Sequence, residues 1–323
     1  MLPAVQAPET LLRRLLAATA ALFLAACSFT PPLPTDAGRG IAFGLMGDTP
    51  YSEREVHALD SLIDQLNGED LAFVVHVGDI TSGRGPCSDD WFLARKAQFQ
   101  RLRHPLILIP GDNDWVDCHR SGMDPLERLA RFRELFESGD ESLGQRTLKL
   151  ERQSSDARYA QYREHMRWVM GNVVFITLNV QGGNDNLGLN AEMDDERRHR
   201  LDAVLAWLAD GARLAGQPQM NGLVIMIQAN PDFEEGRQWT GGADGYAELR
   251  NALRLTALRL KKPITFVHGD THWYQQNRPL KGSDGTTLQN FTRVEVYGSP
   301  FVRWLRGTLF PSTTTPVHVA PAP

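Results

Sequence analysis

The sequence predicts an α/β fold, in which strands and helices alternate along the chain. Two observations lead to this prediction. Apolar runs at residues 41–46, 71–77, 106–109 and 264–267 are typical of buried strands. The segments between them repeat apolar residues at the spacing of amphipathic helices. Periodicity alone leaves the order of the strands in the sheets open.

Three helices are predicted in the first half of the chain. The first begins after Ser52, which opens a capping box followed by apolar residues at helical spacing. A second helix is predicted over residues 91–102, because a pair of aspartates just before it offers an N-cap. Pro125 is typical of the first turn of a helix, and it predicts a third helix over residues 125–136.

The second half continues the alternation after a polar segment, residues 138–157, which is predicted to be an insertion or a flexible loop. The elements predicted beyond it are a hairpin over 162–180, a helix over 192–209, a strand over 222–228, a helix over 246–260 and late strands over 291–297 and 301–308. The loop at 181–186 is a candidate to lie at a functional site. Residues 311–323, with repeated Thr and Pro, are predicted to be a disordered tail.

Acidic motifs follow four of the predicted strands. They read Gly47-Asp48, Gly78-Asp79, Gly111-Asp112-Asn113-Asp114 and Gly269-Asp270-Thr271-His272. Glycine allows a sharp turn and a close approach of the backbone to a ligand. A single Gly-Asp pair after a strand is ordinary turn chemistry. Several carboxylates at the carboxyl ends of neighbouring strands would repel one another unless a cation lies between them, so the series predicts a metal site.

The order of these motifs resembles that of the calcineurin-like metallophosphoesterases, over about residues 41–300. The resemblance implies a four-layer αββα sandwich of two mixed sheets, in a domain over residues 41–310. It also implies two divalent metal ions, with Mg, Mn, Ca, Fe or Zn as the candidates. The substrate it implies is a small phosphate ester.

One metal position of that family is largely retained in this chain. The resemblance assigns Asp48 and His272 to it, and it assigns Asp79 the role of the carboxylate that bridges two metals. Pro50 stands where the family has a histidine after the first aspartate. Tyr51 is a candidate to complete this position, because the related purple acid phosphatases use a tyrosine there.

The other position departs from the family pattern. Asp112 replaces an asparagine ligand, Asp270 replaces a histidine, and either Gln228 or Asn230 replaces the histidine after the late strand. Oxygen ligands favour Mg²⁺, Mn²⁺ or Ca²⁺ over Zn²⁺. Two dications facing four aspartates would come close to formal neutrality, so such a site would attract a phosphate less strongly.

The catalytic histidine of the family is also replaced. Asn113 stands in its place, which removes an obvious general acid. His119 or His76 could supply that function. For His76 the favoured interpretation is a packed strand residue. For His119 a structural role and a catalytic role are equally favoured.

The first 26 residues predict a lipoprotein signal peptide. Arg13-Arg14 precedes an apolar stretch of small residues that is too short to cross a bilayer. The sequence ending at Cys27 resembles the bacterial lipoprotein cleavage site, which implies lipidation of Cys27, a tether over residues 27–40 and an anchor in the bacterial cell envelope. Ser28 implies the outer membrane, facing the periplasm. The alternative is an ordinary secretory signal with an incidental cysteine.

Two further cysteines, Cys87 and Cys118, would remain in the exported chain. An isolated pair in an exported protein predicts a disulfide, with two free buried thiols as the alternative. The bridge would join the loop after Asp79 to the loop after Asp114. The formal net charge of −5 gives no support for a general nucleic-acid footprint.

Two functional hypotheses follow from the sequence. The first is a metal-dependent phosphoesterase that hydrolyses phosphate mono- or diesters and is anchored in the cell envelope. The alternative is an envelope lipoprotein of the same fold that binds a metal or another ligand with little or no catalysis. The altered ligands favour the alternative, whereas the retention of polar, ligand-capable residues at those positions favours the enzyme.

Overall fold

The computed structural model describes residues 40–234 and 242–322. The predicted signal peptide, the lipidation site at Cys27 and all of the predicted tether except Gly40 lie outside the described residues. Within the described ranges, none of the helices combines the length and the apolar character needed to cross a membrane.

Strands and helices alternate as the sequence predicts. The strands are β1 Ile41–Met46, β2 Val74–His76, β3 Leu106–Leu108, β4 Glu151–Arg152, β5 Met166–Met170, β6 Val173–Thr177, β7 Gly222–Met226, β8 Ile264–His268, β9 Gln275–Asn277, β10 Phe291–Glu295, β11 Leu305–Leu309 and β12 Val317–Pro321. The helices are α1 Glu53–Gly68, α2 Asp89–Phe99, α3 Pro125–Phe136, the single turn α4 Gly182–Asp185, α5 Ala191–Ala215 and α6 Ala247–Leu260. Short 3₁₀ helices lie at Asp112–Asp114, Val116–Ser121, Gln153–Ser155 and Ala157–Tyr159.

The strands form two mixed sheets in the part of the chain that the structure describes. The five-stranded sheet has the order β12-β11-β1-β2-β3, and the seven-stranded sheet has the order β4-β5-β6-β7-β8-β10-β9. β1, β2 and β3 run parallel to one another, as do β6, β7, β8 and β10. The carboxyl ends of the parallel strands in each sheet therefore share one edge, where the acidic motifs begin.

The two sheets pack face to face with helices on both outer sides. Phe43 and Leu45 of β1 belong to the core between the sheets, where Phe175 and Val224 meet them from the other sheet. Alternate side chains point to the opposite face, so Met46 packs beneath α1, α2 and α3. α5 and α6 cover the seven-stranded sheet. The predicted four-layer αββα sandwich is confirmed.

Helix ends follow the sequence signals with small shifts. Ser52 caps α1 and accepts a hydrogen bond from the backbone N–H of Glu55, as predicted. The second helix is capped by Ser88 and begins at Asp89, slightly earlier than predicted. α3 has the predicted bounds.

Two sequence predictions are wrong. The tail predicted to be disordered over residues 311–323 contains β12, which pairs antiparallel with β11 from Val317 to Pro321. The polar segment at 138–157 is not a flexible loop, because Leu143 forms a bridge with Leu106 and Leu150 is buried. That it is an insertion stays a prediction. In both cases strand pairing and apolar burial outweigh a local composition typical of loops.

Candidate functional site

The loops that follow the parallel strands bring the acidic motifs together. Asp48 lies just beyond β1, Asp79 beyond β2, Asp112 beyond β3 and Asp270 beyond β8. The backbone N–H of Asp270 donates a 2.9 Å hydrogen bond to Asp48 Oδ1, which joins the motif edges of the two sheets. The backbone N–H of Asp48 in turn donates to the carbonyl of Gly78 at 2.9 Å. The site is therefore held by both sheets.

Four of the motif residues have left-handed backbone conformations. The φ angles are 50° at Asp48, 61° at Asp79, 75° at Asp270 and 70° at His272. A left-handed conformation costs a residue other than glycine about 1 to 2 kcal/mol. Such conformations cluster at functional sites, where the surrounding structure holds them. Their occurrence at four predicted site residues supports a functional role for this edge.

Glycines make room for the carboxylates. A Cβ atom on Gly111 would lie 2.0 Å from Asp79 Oδ1, and a Cβ on Gly269 would lie 2.0 Å from Asp48 Oδ2. Both distances are shorter than any tolerated contact, so a larger residue at either position would displace the carboxylate. The glycines of the motifs therefore allow the backbone of one loop to lie against the acid of another.

The first part of the site centres on Tyr51. Its hydroxyl donates to Asp79 Oδ2 at 2.9 Å and lies 3.2 Å from His272 Nε2. The side-chain amide of Asn113 donates to the Tyr51 oxygen at 3.0 Å. His272 Nε2 lies 3.6 Å from Asp48 Oδ1. The structure thus brings together the residues assigned to the retained metal position, including the suspected Tyr51.

The tautomer of His272 is set by its backbone partner. His272 Nδ1 lies 2.9 Å from the carbonyl oxygen of Ser299, which can only accept, so Nδ1 carries the hydrogen. Burial lowers the pKa of His272. The imidazole is therefore neutral, and its Nε2 lone pair faces Asp48 and Tyr51, as a metal ligand requires.

The second part of the site centres on Gln228, which is fully buried. Its Oε1 accepts a hydrogen bond from the backbone N–H of Gly182 at 2.7 Å. Its Nε2 donates to Asp79 Oδ2 at 3.1 Å and to Asp112 Oδ1 at 2.8 Å. An amide group thus bridges the two carboxylates.

Asp114 holds the loops of the site together through hydrogen bonds to their backbone. Its carboxylate accepts from three backbone N–H groups, those of Asp79 at 2.9 Å, Ile80 at 2.8 Å and Gly111 at 2.8 Å. These bonds fix the turns after β2 and β3 relative to each other. The backbone N–H of Asn113 donates to Asp79 Oδ1 at 3.0 Å, which orients the central carboxylate.

The electrostatics of the carboxylates call for a cation. Burial raises the pKa of Asp48 and of Asp79 well above the usual range, and the neighbouring Asp112 raises both further. Burial also raises the pKa of Asp112 to about 7, with Asp117 adding to the effect. A positive charge placed among these carboxyl groups would favour their ionised form.

The two positions differ in how well they fit a metal ion. Within residues 40–234 and 242–322, no group of three or more His, Cys, Asp or Glu side chains converges as a metal site. Hydrogen-bond donors from Tyr51 and Gln228 lie between the carboxylates instead. At the first position Asp48 Oδ2 is completely buried without a hydrogen-bond partner, and with the neutral His272 it offers acceptor atoms to a cation. At the second position the Gln228 amide presents N–H groups, which do not fit a cation.

Other predicted residues take different places. His76 is buried, and its ring nitrogens lie 2.9 Å from the Thr49 carbonyl and 3.3 Å from the Gly78 N–H, so it is a packed strand residue without a free nitrogen. His119 is exposed and lines a cavity of about 290 Å³ beside Asp112. Asn230 donates from its backbone to Asp270 Oδ2 at 3.0 Å.

The side chain of Asn230 points away from the carboxylates. Its Nδ2 donates to Thr271 Oγ1 at 3.1 Å, and its Oδ1 accepts from the Asp232 N–H at 3.2 Å. Of the two candidates for the late-strand ligand, Gln228 is therefore the one whose side chain reaches Asp79 and Asp112.

Cys87 and Cys118 form the predicted disulfide. Their sulfur atoms lie 3.7 and 3.6 Å from the carbonyl oxygen of Asn113, directly behind the motif that carries Asp112. The bridge therefore ties the loop after β2 to the loop after β3 at the site, as the sequence predicts.

Two supporting groups were not predicted individually. Gly182 orients Gln228, and Ser299 orients His272, through backbone atoms in both cases. For Gly182 a signal existed, because the polar, glycine-rich loop at 181–186 is typical of a segment near a site. Nothing in the local sequence around Ser299 indicates its role.

The sequence matches no protein-family model and no curated protein. Solved structures do resemble the chain. A dimetal phosphatase from Danio rerio superposes with a TM-score of 0.55 at 12% sequence identity, covering 88% of this chain and 99% of that one. A purple acid phosphatase from yellow lupin (Lupinus luteus) seeds superposes with a TM-score of 0.50 at 14% identity, covering 86% of this chain and 51% of that one. At these identities the likeness establishes the fold: an α/β sandwich of two mixed sheets like that of the metallophosphoesterases.

Proposed function

We propose that the chain is a metal-dependent phosphoesterase that hydrolyses small phosphate mono- or diesters. The observation that carries this proposal is the convergence of Asp48, Asp79, Tyr51 and His272, with a buried carboxylate oxygen of Asp48 left without a partner. The likeness to two solved phosphatases supports the reaction class.

The residues of the first position would hold the cation. A divalent ion supplies a Lewis acid and lowers the pKa of bound water. Asp48 and Asp79 offset its charge, and His272 offers a neutral nitrogen whose orientation Ser299 fixes. Ser299 is itself held by Glu55, which accepts a 2.7 Å hydrogen bond from its hydroxyl. The ligand set is therefore fixed in place before a cation arrives.

The Asn113 amide and a cavity beside Asp112 could accommodate a phosphate ester. The side-chain amide of Asn113 donates to the Tyr51 hydroxyl. If Tyr51 rotated towards a bound cation, the same N–H group could donate to a phosphoryl oxygen of the substrate. The cavity beside Asp112 is lined by His119, Leu187 and the ion pair of Arg120 with Asp117, and it offers space for the alcohol part of a substrate. His119 is exposed there and can deliver a proton to the departing oxygen.

The cell-envelope location is part of the proposal. The sequence around Cys27 supports a lipid anchor, which would place the domain on a membrane surface. Envelope phosphate esters or nucleotides would then be within reach of the site.

The alternative is a ligand-binding envelope protein that uses the same fold with little or no catalysis. The specific observation in its favour is that hydrogen-bond donors of Tyr51 and Gln228 contact the carboxylates of Asp79 and Asp112. The test is hydrolysis of a panel of mono- and diesters by purified protein loaded with Mg²⁺, Mn²⁺, Ca²⁺, Fe²⁺ or Zn²⁺. Turnover that disappears on chelation supports the enzyme, whereas metal binding without turnover supports the binder.

A further inference from the structure

We propose that this chain binds one divalent cation, because the Gln228 amide takes the place of a second ion. The proposal rests on the metal site of the proposed function. It departs from the pair of ions that the name of the Danio rerio neighbour indicates for that protein.

The orientation of the Gln228 amide is fixed by a neighbour that can only donate. Gly182 N–H lies 2.7 Å from Oε1, so this atom must be the oxygen. If the amide were turned over, its NH₂ group would face the Gly182 N–H, and its oxygen would face the carboxylates of Asp79 and Asp112. Each of those contacts would be repulsive in the absence of an ion.

Packing prevents Gln228 from swinging aside. The side chain is fully buried, and a Cβ atom on Gly78 would lie only 2.9 Å from Gln228 Cγ. The loop that supplies Gly182 is equally close to the site, since a Cβ there would lie 2.8 Å from the Asp112 carboxyl group. Gly78 therefore packs against the Gln228 side chain, and the loop that supplies Gly182 packs against Asp112.

Both N–H groups of the amide are already used. One donates to Asp79 Oδ2 and the other to Asp112 Oδ1, at 3.1 and 2.8 Å. A cation between these oxygens would meet the positive ends of two N–H dipoles, which repel it. The amide thus supplies part of the electrostatic compensation that an ion would otherwise give the two carboxylates.

Asp270, the remaining residue assigned to the second position, is engaged elsewhere. Its Oδ2 accepts from the backbone N–H of Asn230 at 3.0 Å, and its own N–H donates to Asp48. The first position differs in kind, because Asp48 Oδ2 lacks a partner and His272 Nε2 presents a lone pair. The two positions are therefore unequal: the first offers acceptor atoms of Asp48 and His272 beside the Tyr51 hydroxyl, whereas the N–H groups of Gln228 lie between the carboxylates of the second.

The test is the number of ions bound per chain. Metal-depleted protein is dialysed to equilibrium against Mn²⁺, and bound metal is measured by elemental analysis and by electron paramagnetic resonance. Wild type should saturate at one ion, with the spectrum of an isolated Mn²⁺. Two ions per chain with a coupled spectrum would overturn the proposal, and so would no binding at all.

The variant Gln228→Glu tests the role of the amide. One carboxylate oxygen keeps the bond from Gly182, while the other replaces the N–H donors, so the variant should bind two Mn²⁺ ions. Gln153→Glu is the matched control, because Gln153 is also buried and its amide contacts the Ala203 carbonyl and the His165 ring, with no carboxylate partner. It should bind one ion. If folded Gln228→Glu also stops at one, the amide does not exclude the second ion and the proposal fails.

The neutral variant Gln228→Ala covers the case in which Gln228→Glu does not fold. Removing the donors without adding charge should allow a second, weaker ion, and saturation at one ion would contradict the proposal. The results also separate the two proposals. One ion per chain without hydrolysis refutes the phosphoesterase alone, whereas two ions with hydrolysis refute only the single-ion site.

Discussion

Asp114 is expected to set the geometry of the site without binding substrate or metal. In Asp114→Asn one oxygen can still accept from Asp79 and Gly111, but the new NH₂ group faces the N–H of Ile80. A buried donor left without an acceptor costs about 1 to 3 kcal/mol. We therefore expect the free energy of unfolding to fall by about that amount.

The assay is urea unfolding of wild type, Asp114→Asn and a control. Asp124→Asn is a suitable control, since Asp124 caps α3 on the surface and asparagine caps as well as aspartate. The control should stay close to wild type in stability and in Mn²⁺ affinity, and Asp114→Asn should bind Mn²⁺ more weakly. A folded Asp114→Asn protein with unchanged stability and unchanged metal affinity would show that Asp114 does not set the geometry of the site.

Three other predictions concern parts of the chain around and outside the site. Burial lowers the pKa of His76 to about 4, so the folded state resists protonation of this ring. The difference in unfolding free energy between wild type and His76→Gln, measured in urea, should therefore fall by up to about 3 kcal/mol as the pH drops from about 6.5 to 4. A difference that stays constant over this range would contradict the prediction. Removing the bridge in Cys87→Ser/Cys118→Ser should cost about 3 kcal/mol of unfolding free energy, and equal denaturation midpoints would exclude that contribution. Cys27→Ala should abolish incorporation of labelled fatty acid and release the protein from membranes, and full retention on membranes would contradict lipidation.

Local sequence signals were sufficient for much of the fold and for the position of the acids. Ser52 and Pro125 mark helix starts through backbone chemistry that acts within one turn. Asp48, Asp79 and Asp270 could be placed at one edge because each follows a buried strand and a glycine. The physical information for these predictions lies within a few residues.

The remaining features depend on contacts between distant parts of the chain. The orientation of Gln228 depends on Gly182, and the tautomer of His272 depends on Ser299, through backbone groups that any residue could supply. The strand β12 forms because β11 pairs with it, whereas its own Thr- and Pro-containing surroundings favour a loop. Sequence patterns carry little information about partners of this kind.

Hydrolysis by metal-depleted and reconstituted protein shows whether this chain is a metal-dependent phosphoesterase. Wild type and Asp79→Asn are assayed on phosphate mono- and diesters after chelation and after addition of each divalent ion, with Asp124→Asn as the control. We expect chelation to abolish hydrolysis, a divalent ion to restore it in wild type and the control, and Asp79→Asn to stay inactive. Absence of hydrolysis in wild type with every ion, or equal activity in Asp79→Asn, would contradict this expectation.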